Sequence, residues 1–308
     1  MVTFISVFII SYIWHAMGVT IGYHRLLSHR SFSCSKAVEY FWVLPGFLAF
    51  EGSPIWWSTI HRAHHKYVET VLDPHSPRAR GIKYAFTGWL AEKQYESHLD
   101  PAIQCKDLIA DPIYRFLEQG GNLPRGHALG FACCFAFRLI LWAVFGWQVA
   151  LASLLAAVAV LQIPLLLNVV CHLPKFGYKN YALSDDSVNV WWVGLLAMGE
   201  GWHNNHHASP GSARTGMLPH EFDASWLMIK FMKKIGLIQR LNVADHDTLI
   251  ARAAAELEKQ NSMDDPSLAE IESTPVLVGG RESVRDMGAK RTVARKSHRD
   301  VPKKVSNS

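Results

Sequence analysis

Apolar residues run through this chain in blocks rather than in amphipathic stripes. The block "VTFISVFIISYIWHAMGVTIG" (2–22) is long enough to cross a hydrocarbon layer of roughly 30 Å. So are "ALGFACCFAFRLILWAVFGW" (128–147) and "VALASLLAAVAVLQIPLLLNVV" (149–170), which almost nothing separates and which therefore predict a tight transmembrane hairpin. A fourth block, "AVEYFWVLPGFLAFEGSPIWW" (37–57), is broken by Pro45, Gly46 and Glu51.

Lys and Arg orient these segments by the positive-inside rule. Arg25, Arg30 and Lys36 follow the first block, many more fill 62–125, and others follow 172, whereas the Gly146–Gln148 turn has none. Both flanks of 37–57 are then inside, so that segment is expected to lie along the membrane interface. The predicted fold is all-α: an integral membrane domain over 1–245, with a cytosolic helical cap built from 58–127 and 172–245. "VADHDTLIARAAAELEKQ" (243–260) predicts one amphipathic helix with Asp245 or Asp247 near its start. From about residue 262 the Ser/Pro/Gly and charged mixture reads as a disordered tail, closing a C-terminal region of 246–308. Two polar groups remain inside the blocks. A charge at Arg138 needs a partner and is given a structural role, and His15 is read as a hydrogen-bonded interior histidine.

Composition sharpens this picture only in places. Hydrophobic residues make up 49% of the 308, and the net charge of +5 is concentrated in the tail, where nine Lys/Arg stand against three Asp/Glu from Arg281 onward. The remainder is near neutral and presents no basic face for nucleic acid. Five scattered cysteines without a CxxC suggest neither a disulfide framework nor a thiolate metal site. No basic leader region or small-residue cleavage site marks the N-terminus as a removable signal.

The sixteen histidines are the unusual feature. "HRLLSH" gives His24 and His29, "HRAHH" gives His61, His64 and His65, and "HNNHH" gives His203, His206 and His207. His172 follows Asn168 by one helical turn. On a helix, positions i, i+3 and i+4 fall within an arc of roughly 100°, so each HxxHH aims three imidazoles at one region. His24 and His29 are about 140° apart on an ideal helix, and converge best if it ends or bends between them. Eight or nine imidazoles are too many for one ion and suit a pair. Imidazole alone leaves iron, copper, zinc and nickel open. His75, His98, His127 and His220 stand outside the clusters. No nucleophile elbow or phosphate cradle accompanies them.

These residues resemble a known family. "GYHRLLSHRSF", "HRAHHKYVETVLDPHSP", "NVVCH" and "GEGWHNNHH", in that order, are closely similar to the membrane-bound acyl-CoA (stearoyl-type, Δ9) fatty acid desaturases, bacterial members in particular, over about residues 5–245. The resemblance implies a helical di-iron enzyme that uses O2 and two electrons to remove two hydrogens from a saturated C16–C18 acyl chain, leaving a cis double bond and water. It implies two iron ions held by His24, His29, His61, His64, His65, His172, His203, His206 and His207, with Asn168 holding an iron-bound water. No separate acid or base is assigned. It implies an acyl tunnel closed by Tyr12, with Ala16 a turn nearer the metals and Trp57 and Glu51 near a bend. The implied partners are a fatty acyl thioester or acyl-lipid, membrane lipid, and an electron-transfer protein (ferredoxin, rubredoxin or cytochrome type) with its reductase. The implied location is the bacterial inner membrane, with the active site on the cytoplasmic side.

The chain departs from that family at recognisable points. Animal members have Arg-Asp before the second box, the Arg contacting coenzyme A, where this chain has Thr59 and Ile60. After "GWLA" it has Glu92-Lys93 in place of Arg-Lys, and Glu51 replaces a Gln. Acyl-ACP or acyl-lipid thus stand beside acyl-CoA as carriers. One span fits before the first box where the family has two, which implies an upstream start or an external N-terminus. The alternatives are a sibling desaturase or hydroxylase of other regiospecificity, and a non-catalytic membrane metal-binding protein. Ligands at helix ends rather than mid-membrane disfavour transport.

Overall fold

A computed structural model describes residues 1–263; the tail expected to be disordered lies outside the described residues. The chain is mostly helical. Helix α1 (Val2–Met17) continues without a break into a π-helix (Gly18–Ser28), and is followed by β1 (Phe32–Cys34), α2 (Lys36–Phe47) and α3 (Pro54–Tyr67). Short helical turns occupy 77–121. Helices α4 (Leu123–Phe145) and α5 (Trp147–Val170) come next, then α6 (Trp191–Leu196), α7 (His203–Ala208), α8 (Ala224–Lys234), β2 (Ile238–Leu241) and α9 (His246–Met263).

Among the described residues three helices are long and apolar enough to cross a membrane: Val2–Ser28, Leu123–Phe145 and Trp147–Val170. Ile10, Leu139, Ile140, Val144 and Phe145 are all exposed on them. Leaving such side chains in water forgoes about 1.5–3 kcal/mol each, a penalty that lipid removes. The α4–α5 hairpin turns on Gly146, whose φ of +87° suits glycine. Helix α4 starts earlier than hydropathy suggests, because Asn122 accepts from the Arg125 amide and Pro124 occupies the first turn.

The segment 37–57 is two elements, not one. Helix α2 ends at Phe47, and α3 begins after Ser53, whose hydroxyl accepts from the Trp56 amide at 3.0 Å. Helix α2 lies against the π-helix with backbone touching backbone. A Cβ on Gly22 would sit 2.3 Å from the Trp42 carbonyl oxygen, and one on Gly18 the same distance from the Gly46 nitrogen. Small residues permit this approach.

The two intramembrane polar groups solve each other. Pro45 O can only accept, so His15 Nδ1 donates to it at 2.7 Å, and His15 Nε2 is left to accept from Arg138 Nη2 at 3.2 Å. Arg138 also donates to Cys134 O and lies over the Phe50 and Phe137 rings.

Arg25 is not the loop charge that the orientation argument made it. It is buried, donating to Glu200 (2.9 Å) and Asp223 (3.1 Å) as well as to Ala213 O and Thr215. It therefore fastens the π-helix to the chain around α7 and α8. The ribbon β1–β2, antiparallel with Phe32 opposite Leu241, adds a second fastening. At the start of α9, Asp245 accepts from the Thr248 amide and hydroxyl at 3.0 Å.

Candidate metal centre

The nine clustered histidines converge in two groups. His24, His29, His61, His65 and His206 form the first, and His64, His172, His203 and His207 the second; within each, one ring nitrogen per residue lies within 4.8 Å of all the others. The groups adjoin, with the His65 and His207 rings 4.7 Å apart. The π-helix explains the first box. Its bonds reach residue i+5, and His29 N donates to His24 O at 3.1 Å, so residues five apart lie side by side. The helix ends at Ser28, between the two, as their spacing required, and its last turns are widened so that His29 caps it beside His24.

Nε2 atoms face one another at contact distance: His24–His206 at 3.1 Å, His29–His61 at 2.7 Å, His65–His206 at 2.9 Å, His172–His203 at 3.0 Å and His203–His207 at 3.0 Å. Neutral rings held by their other nitrogens would oppose lone pair to lone pair, an arrangement that needs a cation between them. The spacing is informative. With metal–nitrogen bonds of about 2.1 Å, neighbours at right angles lie about 3.0 Å apart and neighbours at the tetrahedral angle about 3.4 Å. Contacts this short are of the order that nitrogens sharing one ion would show.

Carboxylates settle the tautomers. Nδ1 of His64 lies 3.0 Å from both oxygens of Asp73, His172 Nδ1 is 2.9 Å from Glu69, His207 Nδ1 is 3.0 Å from Asp185, and His24 Nδ1 is 2.8 Å from Glu200. The three hydrogen-bonded pairs, on His64, His172 and His207, place the proton on Nδ1 and leave Nε2 free to bind, while His24 Nδ1 and Glu200 are close but out of hydrogen-bond line. His64 Nε2 is buried without any hydrogen-bond partner among the described residues. Burial first, then the neighbouring imidazoles, hold His29, His61, His65, His203, His206 and His207 well below the usual imidazole range, so all are neutral donors.

Sequence reasoning missed these four carboxylates, and it passed over the asparagines inside "HNNHH". Asn204 Oδ1 accepts from the amides of Asn180 and Tyr181, while Asn205 Nδ2 donates to Glu221 at 2.7 Å and to Thr215 O. The faces of α7 thus divide, imidazoles toward the centre and amides toward the protein. His75, set outside the clusters by spacing, lies buried with its ring 4.5 Å from that of His64. His98, His127 and His220 lie apart from both groups, against Leu72 O, Trp56 and Tyr178 respectively.

A narrow cavity runs to the centre between α1, α3 and α5, with Ala16, Val19, Val160 and Ile163 on its walls and His24, His61, His64 and His203 at its polar side. A second continues past Glu51, Trp56, His75 and Trp89. The two share Trp57, His61, Pro164 and Asn168, which places a junction beside the histidines. Tyr12 does not line either cavity. It packs against the Ala16–Val19–Val160 cluster, and its hydroxyl donates to Leu196 O at 2.9 Å. Trp57 stacks on His61 and donates from Nε1 to Glu51 at 3.1 Å. Burial pushes the Glu51 carboxyl up to about 8, against the smaller opposing effect of that hydrogen bond.

Comparison with known proteins agrees with this chemistry. A family model described as fatty acid desaturase matches residues 1–224. An Anabaena variabilis protein named sn-1 stearoyl-lipid 9-desaturase is 38% identical over 231 residues, covering 74% of this chain and 80% of its own length. A Synechocystis sp. protein of the same name is 35% identical, with coverage of 80% and 74%. An Anemone leveillei protein named acyl-CoA C20 Delta5-desaturase is 35% identical, with coverage of 73% and 69%.

Proposed function

This chain belongs to the fatty acid desaturase family, and we propose that it introduces a cis Δ9 double bond into the saturated C16–C18 chain of an acyl-lipid, using O2, two iron ions and an external electron donor. The observation that carries this reading is the meeting of nine imidazoles with the junction of two mainly apolar cavities.

The residues divide the work as follows. His24, His29, His61, His65 and His206 would hold one iron, and His64, His172, His203 and His207 the other, with Asn168 at the cavity wall as the water-holding side chain. Iron, when bound, supplies the O2 activation and the oxidising power that removing two unactivated hydrogens requires. The protein supplies alignment. Trp57 and Pro164 stand where the two cavities join, so an extended chain threading both must change direction beside the histidines. Fixing one methylene pair there converts chain length into regioselectivity. Tyr12, below Ala16, limits how far the methyl end reaches. A neutral Glu51 keeps full charge out of the wall.

The outer end supports a lipid as the carrier. The second cavity adjoins a groove at Trp56, Ile60 and Trp89 that also has Glu92 and Glu96 in its lining. Glu92 accepts from Tyr84 at 3.0 Å and Glu96 pairs with Arg80 at 2.6 Å. Acidic groups there suit a lipid headgroup better than the phosphates of coenzyme A, which a basic mouth would attract. Three apolar helices among the described residues support a membrane protein, and the Lys/Arg distribution supports placing the centre on the cytoplasmic side of a bacterial inner membrane, with 37–57 at the interface.

Expression in a host without desaturases tests the reading. Monounsaturated chains should appear in the membrane lipids, with the double bond at C9 by mass spectrometry. In isolated membranes a labelled acyl-lipid should be converted directly. No new unsaturation would overturn the reading, and conversion of acyl-CoA before any lipid would overturn the carrier.

A further inference from the structure

The two histidine groups are electrostatically unequal. In the four-histidine group three rings place Nδ1 against a carboxylate: His64 on Asp73 at 3.0 Å, His172 on Glu69 at 2.9 Å and His207 on Asp185 at 3.0 Å. None of these carboxylates pairs with Lys or Arg among the described residues. In the five-histidine group only His24 has such a partner, Glu200, and Arg25 shares that carboxylate at 2.9 Å. One shell has three carboxylates without a Lys or Arg partner among the described residues, whereas the single carboxylate of the other is held by a guanidinium, which it shares with Asp223.

Two further observations point the same way. Three of the four rings in the first-named group are buried, whereas His29, His61 and His65 in the other retain partial exposure. Glu69 holds φ = +60°, a left-handed conformation uncommon for a residue with a side chain. It is kept there by Asp73, which accepts from the Glu69 amide at 3.1 Å, and by Ser76, which donates to its Oε2 at 2.8 Å. A strained backbone fixed by its neighbours marks a side chain whose aim matters. Here the aim is at His172.

A carboxylate behind an imidazole raises the ring's basicity and adds its own charge to the attraction felt by a cation. We infer that the four-histidine group is the high-affinity position, filling first with a divalent metal and releasing it last, while the five-histidine group fills second and empties first. A chain holding one ion would then hold it among His64, His172, His203 and His207. This rests on the two-metal reading above.

The test is a titration of the purified, chelator-stripped full chain with Co²⁺, followed by its absorption bands. The expected curve has two steps of one equivalent each, separated by at least tenfold in Kd. Glu69→Gln and Asp185→Asn keep an acceptor for the Nδ1 proton while removing charge, and should weaken the first step about 10–100-fold. Glu200→Gln should weaken only the second. Should the variants not fold, release from the wild-type chain reads the same asymmetry: with iron loaded and EDTA added, one ion should leave at least tenfold faster than the other. Two equal steps, equal release, or a tight step lost in Glu200→Gln would overturn the inference. Equal steps in a chain that still makes product would refute this inference alone, whereas no metal binding at all would remove the two-metal reading with it.

Discussion

Replacing Glu51 by Gln isolates a single charge in the cavity wall. The carboxyl is 4% exposed and takes one hydrogen bond, from Trp57, while its Oε1 has no partner among the described residues. The nearby Tyr23 hydroxyl donates instead to Gly52 O at 2.8 Å. Burial lifts the carboxyl from an ordinary 4.5 to about 8. The folded chain therefore keeps a proton that the unfolded chain gives up above about pH 4.5, and stability falls as pH rises from there to about 8. The slope approaches 1.4 kcal/mol per pH unit, about 5 kcal/mol over the whole interval. Glu51→Gln has nearly the same shape and does not titrate, so its advantage over wild type should grow across that window and level off above it. Unfolding midpoints in one detergent from pH 5 to 9, measured for both proteins, read the difference directly. Product formation should fall above pH 8 in wild type and not in the variant, since a carboxylate beside the acyl chain is costly. Parallel midpoints across the range would refute the argument.

Other expectations follow from particular contacts. Arg25→Ala leaves Glu200 and Asp223 buried without their cation and should cost about 3–5 kcal/mol, seen as loss of monodisperse protein on gel filtration. Ala16→Phe fills the inner cavity and should shift the product profile toward shorter chains, while Tyr12→Ala should admit longer ones; an unchanged profile in both would remove these residues from the channel. Gly22→Ala drives a methyl into the Trp42 carbonyl and should cost about 1–3 kcal/mol, read as a lowered unfolding midpoint.

What the sequence revealed depended on the range of the interaction. The HxxHH spacings were legible because helix geometry converts i, i+3 and i+4 into one face, and α3 and α7 are helices. The pair His24 and His29 was legible as a pair, but its geometry required a π-helix, a rare form without a spacing signature of its own. The carboxylates were not legible. Glu69 and His172 are 103 positions apart, so their pairing exists only after α5 returns to α3. Arg25 misled for a related reason: a guanidinium beside an apolar block reads as an interfacial charge until Glu200 and Asp223 arrive from nearly two hundred residues away. Hydropathy identified the α4–α5 hairpin but ran α2, the Pro54 start and the intervening turn together, because one apolar composition serves both short helices.

Iron analysis of the purified chain from iron-replete cells tests the central claim most directly. Two irons per chain are predicted for the wild type, and at most one for His206→Ala, a ring 3.1 Å from His24 and 2.9 Å from His65. Stoichiometric zinc in place of iron, or two irons retained after His206 is removed, would contradict the account.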